Sequence, residues 1–252
     1  MTIDMKKISL QKKDILYIGI ISVSVIVIAA LSIMLYFESA ETRISDAQKY
    51  YNNKIHAFSC ENTNFAKEQI VFIGDSITDL CPLDEYYADL DVACYNRGIG
   101  GDRTQGVIDR LKVSVFDLNP SKIVLMIGTN DINAGMESKK IVENYRKILD
   151  TIKENQPTVE LYFMSIIPEG KDLESYSNLD VSKNNETIKK LNAEIEGLCS
   201  EYGYTYVDIN SYLVDENGYL RTDCSDDGLH LNAGGFEIWA NMLKPYLQDK
   251  ME

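Results

Sequence analysis

Histidine is scarce in this chain: 252 residues contain only two, His56 and His230. Any reaction that needs a neutral imidazole to take up a proton must therefore use one of them. Cysteine is sparse too. The five residues Cys60, Cys81, Cys94, Cys199 and Cys224 form no C-x-x-C pair and no Cys/His ligand spacing, which argues against a zinc site or any other metal centre. An odd count cannot pair completely within one chain. Buried free thiols are the default expectation, with one or two bridges open to an outward-facing domain. Positive charge is also short, with 25 Lys and Arg against 39 Asp and Glu. Beyond residue 37 the balance is 21 basic to 37 acidic residues, a net charge of −16. Such a surface repels phosphate backbones, so no nucleic-acid partner is expected, and the acidity itself reads as solvation. No internal repeat or low-complexity tract is visible.

What the chain does have is apolar residues, 45% of the total, enough for one good-sized domain whose core needs no disulfide staples. They are unevenly spread. The run "ILYIGIISVSVIVIAALSIMLYF", residues 15–37, carries no charge, and about 20 such residues span a bilayer. Lys6, Lys7, Lys12 and Lys13 precede or flank it against only Asp4 and Asp14, a bias that holds residues 1–14 as a cytoplasmic tail. Residues 15–37 are then a transmembrane helix, and everything after them faces outward. A cleaved signal peptide is the competing reading, but its apolar core runs about 7–15 residues and no A-x-A site follows Phe37. Residues 38–67 are polar, lack Pro and Gly, and carry Ile44, Ala47, Tyr51 and Ile55 at helical spacing, as a stalk or leading helix would. The remaining 68–252 form the body.

Within the body, apolar runs at 69–74, 91–96, 122–128, 160–167 and 204–209 alternate with helical patterns at 104–118, 138–155, 182–202 and 233–247. Several of these runs are apolar throughout, as strands covered on both faces are. The alternation predicts a doubly wound, flavodoxin-like α/β/α sandwich around about five parallel strands. Ligands of such sheets gather at the carboxyl ends of the strands. The first three predicted strands end at "GDS", "NRGIGGD" and "GTND". Three polar, glycine-containing clusters thus come to one sheet edge.

Ser76, in "VFIGDSITDL", is either a helix N-cap or a nucleophile. A nucleophile needs a base. His56 falls in the stalk, which leaves His230 in "SDDGLHLNAGG", with Asp227 three residues upstream. An Asp at that distance across a turn can accept one imidazole N–H and leave the other ring nitrogen for the serine proton. Gly101 can bring a backbone N–H close to a developing oxyanion, Asn130 can offer its amide, and the Ser76 N–H makes a third donor. Each has a plainer alternative: a permissive turn for Gly98, Gly100 and Gly101, a cap for Asn130, a surface or capping role for His230.

Taken in order, "GDS" at 74–76, "GIGGD" at 98–102, "GTND" at 128–131 and "DGLH" at 227–230 resemble the SGNH hydrolases, also called GDSL esterases or lipases, over roughly residues 69–248. The resemblance implies Ser76 as nucleophile, His230 as base, Asp227 as its orienting acid, and Ser76, Gly101 and Asn130 as the oxyanion hole. It implies a serine esterase that needs no metal or organic cofactor. Gly74 and Asp75 are expected to serve the turn and loop, and Arg103 to be solvated. Segments between the blocks are too short for an apolar lid over a lipid chain. A small acyl ester, acetyl on a carbohydrate, is therefore the expected substrate. The same residues would also suit an O-acetyltransferase of cell-wall glycan, or a lysophospholipase or thioesterase. A membrane-tethered binding module that keeps the fold would be favoured by a lost catalytic residue, and none is missing. Oligomeric state is not legible.

Overall fold

The structure is a computed structural model that describes residues 12–175 and 178–248; residues 1–11 of the expected tail lie outside the described residues. The chain divides after Asn52 into two compact units. The first is made by helix α1, Lys12–Glu61, up to Asn52. Its segment Ile20–Phe37 has a mean hydropathy of 2.6, and none of it is buried within the protein. By length and composition it is apolar enough to cross a membrane.

The second unit starts at Asn53 with the last turns of α1. The rest of the body follows in chain order: β1 Ile70–Gly74, α2 Ser76–Asp79, α3 Leu83–Tyr86, β2 Cys94–Gly98, α4 Thr104–Ser114, β3 Lys122–Met126, α5 Thr129–Asn133, α6 Ser138–Asn155, β4 Glu160–Met164, α7 Val181–Tyr202, β5 Thr205–Val207, α8 Asn210–Leu213 and α9 Ala233–Leu247. The five strands form one parallel sheet in the order β2-β1-β3-β4-β5. This is the flavodoxin-like order expected of alternating strands and helices.

Each central strand has two covered faces, which is why these segments lack polar alternation. Val71 and Ile73 face one core layer, with Tyr145 and Ile148 of α6 and Ile188 of α7. Ile70 and Phe72 face the other, with Trp239 and Leu243 of α9. Helix ends carry their own stop signals. Asp180 accepts the Lys183 N–H at the start of α7, and Gly203, at φ 75°, ends it.

Strands β3, β4 and β5 end at Met126, Met164 and Val207, short of the expected 128, 167 and 209, and two further elements also differ. Strand β2 runs over 94–98 instead of 91–96, because Arg97 is polar in sequence but buried in the fold. Its guanidinium pairs with Glu61 at 2.8 Å, accepts no exposure beyond 1%, and lies 4.5 Å from the Phe58 ring centroid. The strand can therefore continue past the apolar run. Helix α4 stops at Ser114, and a 3-10 turn at Phe116–Leu118 completes the segment expected to be helical throughout.

Candidate active site

Register alone assembles half of the site. Gly74, the last residue of β1, is level with Gly98 of β2 and Met126 of β3, so the loops after these three strands leave the sheet side by side. Ser76 is the first residue of α2. The N-cap is Asp75, whose Oδ1 accepts the Ile77 N–H at 3.0 Å, so capping is done by the residue before the serine. Asp75 itself is 1% exposed, and its Oδ2 has no hydrogen-bond partner among the described residues. Burial raises its carboxyl to about 7, against the lowering effect of the Ile77 N–H.

The loop after β2 turns tightly, the Asp102 N–H donating to Ile99 O at 3.1 Å. Gly101 holds φ at 76° in this turn, a region where a side chain would be strained. Its environment is open, with nothing within 4 Å of a Cβ built there. Asn130, in α5, donates Nδ2 to Asp102 O at 3.0 Å. Beside it Asp131 is fully buried and accepts from both the backbone N–H and the hydroxyl of Thr104, at 2.9 and 2.6 Å. The α4 N-terminus is thereby tied to α5.

The base arrives from the other end of the chain. His230 Nε2 lies 2.9 Å from Ser76 Oγ, and its Nδ1 lies 2.7 Å from Asp227 Oδ2. Asp227 Oδ1 also accepts the backbone N–H groups of Leu229 and His230, at 2.8 and 2.7 Å. Partial burial opposes ionisation of Asp227, but these N–H groups and the imidazole outweigh it and hold the carboxyl down at about 2. The turn is pressed against the loop after β4. Gly170 N–H donates to Gly228 O at 2.7 Å, and a Cβ at Gly170 would stand 2.7 Å from Gly228 Cα. Only a glycine permits that approach.

The four sequence blocks therefore meet, with Ser76, His230 and Asp227 in one hydrogen-bonded line, Gly101 on the loop after β2 and Asn130 in α5. His56 is not part of it; its Nε2 lies 3.8 Å from Cys60 Sγ on α1. Among the described residues no group of three or more His, Cys, Asp or Glu is placed to hold a metal ion. All five cysteines are free, and three of them are buried. Arg103 is exposed, as expected. Sequence reasoning passed over Asp102, Arg110 and Gly170. Arg110 carried one signal: it shares a helix face with Val107, Leu111 and Ser114, where an apolar residue would be ordinary.

The chain is similar to known proteins in sequence and fold. Over 184 residues the chain is 26% identical to the human platelet-activating factor acetylhydrolase IB subunit alpha1, covering 72% of this chain and 75% of that one. A multidomain esterase of Ruminococcus flavefaciens is 34% identical over 137 residues, which are 52% of this chain and 16% of that much longer protein. Among solved structures, a Streptococcus pneumonia protein provisionally named a platelet activating factor superposes with a TM-score of 0.77 at 28% identity, covering 83% of this chain and 98% of that one. A GDSL-like lipase from Bacteroides thetaiotaomicron shares the fold with a TM-score of 0.67 at 21% identity, covering 77% and 96%. The profile of the GDSL-like Lipase/Acylhydrolase family matches residues 72–238. With its serine-bearing strand end and its five-stranded parallel sheet in place, this chain belongs to the GDSL-like lipase/acylhydrolase family and is an ester hydrolase.

Proposed function

We propose that the chain is a membrane-anchored, outward-facing serine esterase that removes a short acyl group, acetyl in the first instance, from a carbohydrate. Residues 1–14 are its cytoplasmic tail, 15–37 its transmembrane helix, 38–67 its stalk and 68–252 its catalytic domain. The observation that carries the chemistry is the 2.9 Å contact between Ser76 Oγ and His230 Nε2, continued at 2.7 Å to Asp227. His230 takes the serine proton as Oγ attacks the acyl carbonyl, and the resulting imidazolium is stabilised by the ionised Asp227. The oxyanion is met by the backbone N–H groups of Ser76 and Gly101 and by the Asn130 amide, which has a second N–H beyond the one given to Asp102 O. Imidazolium then protonates the departing alcohol, and water, deprotonated by His230, releases the acid.

Two observations support the choice of substrate. The human relative is named for acetyl hydrolysis. A cavity of about 700 Å³ beside Asp227 has Lys171, Asp172, Asn217, Thr222 and Asp226 in its lining, side chains that can hydrogen-bond the hydroxyls of a carbohydrate. The apolar helix and the Lys-rich segment before it support the anchor and its direction.

The test is hydrolysis by the full chain in detergent of p-nitrophenyl acetate, butyrate and palmitate, and of an acetylated xylo-oligosaccharide, with Ser76→Ala as control. We expect acetyl to lead and palmitate to be poor. Equal turnover of palmitate would overturn the short-chain reading, and release of acetate by Ser76→Ala would overturn the nucleophile. Protease added to spheroplasts should digest the body, and its protection would overturn the orientation.

A further inference from the structure

A single buried guanidinium connects the end of β1, strand β2 and the Gly101 loop, and reaches Asn130 through Asp102. Arg110 is 2% exposed and lies on the inner face of α4. Its Nε donates to Asp102 Oδ2 at 2.7 Å in an ion pair buried on both sides. Nη1 donates to Arg97 O at 2.7 Å and to Ser114 Oγ at 3.0 Å, and Nη2 donates to Gly74 O at 2.9 Å. Gly74 is the last residue of β1, two before Ser76; Arg97 stands next to last in β2; Asp102 directly follows Gly101. The network continues one step outward. Asp102 O accepts Asn130 Nδ2, and Asp102 Oδ1 accepts the Arg103 N–H at 2.9 Å.

We propose that Arg110, through its ion pair with Asp102, is the positioning residue that sets the spacing of Ser76, the Gly101 N–H and the Asn130 amide, so that three donors converge on one oxyanion. This rests on the esterase reading above. Backbone donors cannot adjust by rotating a side chain, and they act only within about 2.7–3.1 Å of the oxygen they stabilise. An error of about 1 Å in such a site costs on the order of 100-fold in rate. The ladder between β1 and β2 runs one residue past Gly98, the Ile99 N–H donating to Gly74 O at 3.1 Å, and the Gly101–Asp102 stretch lies beyond that last bond. Arg110 supplies what the sheet leaves out. A planar fork with five N–H groups can address four acceptors on four segments at once, whereas a lysine ammonium has three donors on one nitrogen. Asp102 compensates the charge, without which burying the guanidinium would be costly. Arg110 itself touches no reacting atom; it acts through the loop.

A purely structural role would also make Arg110 sensitive to substitution, so the test must read the oxyanion hole. Arg110→Lys and Asp102→Asn are prepared in the full chain, checked by circular dichroism and thermal melting, and counted by end-point labelling of Ser76 with a fluorophosphonate. Per labelled site, kcat on p-nitrophenyl acetate should fall about 30- to 100-fold with KM within about threefold of wild type. Inhibition by an alkylboronic acid, whose adduct on Ser76 Oγ mimics the tetrahedral intermediate, should weaken by the same factor. A folded Arg110→Lys with wild-type kcat, or a loss in kcat that leaves boronate affinity unchanged, overturns the proposal. Should Arg110→Lys not fold, Asp102→Asn decides by the same two readings, since it keeps the guanidinium and three of its acceptors. Failure of both variants to fold makes Arg110 a residue of the core alone and overturns the proposal as well. Wild-type protein that neither hydrolyses the ester nor labels at Ser76 overturns the esterase reading instead, and this inference with it.

Discussion

On one side of Ser76 lie Asp75, Asp102, Arg110 and Asp131, none more than 6% exposed; on the other, the side chains of His230 and Asp227 are 31% and 48% exposed. The first group is drawn from three strand ends and a helix, and its hydrogen bonds cross up to 36 residues of sequence. The second is one turn whose acid and base are three residues apart. The buried side holds geometry through desolvated charges that cannot be removed without consequence for the fold. The exposed side holds a tautomer through local hydrogen bonds, in contact with solvent. Substitutions on the exposed side should therefore separate activity from stability, and those on the buried side should couple them.

The largest effect is expected at the exposed side. His230→Ala should lower kcat by about 10⁶-fold, the scale of removing the base from a serine triad, with a melting temperature near wild type. His56→Ala, changed in parallel, should leave esterase activity intact. Substantial turnover by His230→Ala on p-nitrophenyl acetate would end the triad assignment. Asp227→Asn comes next, at roughly 10³- to 10⁴-fold in kcat, since the amide no longer fixes the productive tautomer. Because the Asp227 carboxyl is held at about 2, its charge is present throughout any neutral assay. A stability contribution from this depressed carboxyl is present above the unfolded value of 3.8 and is lost only as pH falls through about 2.

Asn130→Ala sharpens the comparison, because Asn130 joins the buried network to the oxyanion. A loss of about 100- to 1,000-fold in kcat is expected for one donor. Unlike the exposed pair, it should also cost about 1 kcal/mol of stability, since Asp102 O loses its partner. Chemical denaturation of Asn130→Ala and Asp227→Asn side by side checks the difference. Equal stability of the two would break the contrast between the sides.

The smallest effect on turnover is expected at Asp75→Asn, which keeps the acceptor for the Ile77 N–H. Its signature is in stability. The folded carboxyl stays protonated up to about pH 7, while the unfolded one ionises near 3.8. Between those values the unfolded chain binds fewer protons, so this group's contribution is complete below about pH 4, declines as pH rises, and is lost above about 7. The decline amounts to something on the order of 4 kcal/mol. Melting curves from pH 5 to 8 should therefore fall more steeply for wild type than for Asp75→Asn. Parallel curves would remove the buried charge from the account.

The exposed side was the readable one. Asp-x-x-His in a turn is a local pattern, and with one histidine in the body its partner could be named by elimination. Ser76, Gly101 and Asn130 were legible because a parallel sheet sends its strand ends to one edge, so that glycine-containing clusters after successive strands must neighbour each other. Arg97 and Arg110 were given no role by the sequence; each is buried because acceptors from distant segments surround it.

By itself the amino-acid sequence determined the elements whose signals are local: an uncharged run long enough for a bilayer, five apolar strands, four long helices and the turn that prepares Asp227 for His230. Their periodicity is set by backbone geometry and needs no partner. What only the tertiary structure decided is where charge goes inside. Burial of Arg110 against Asp102, the unpartnered oxygen of Asp75, and the contact of Gly170 with Gly228 all depend on groups that approach through space from unrelated positions. Desolvation and close contact are properties of the assembled interior, and no local pattern carries them.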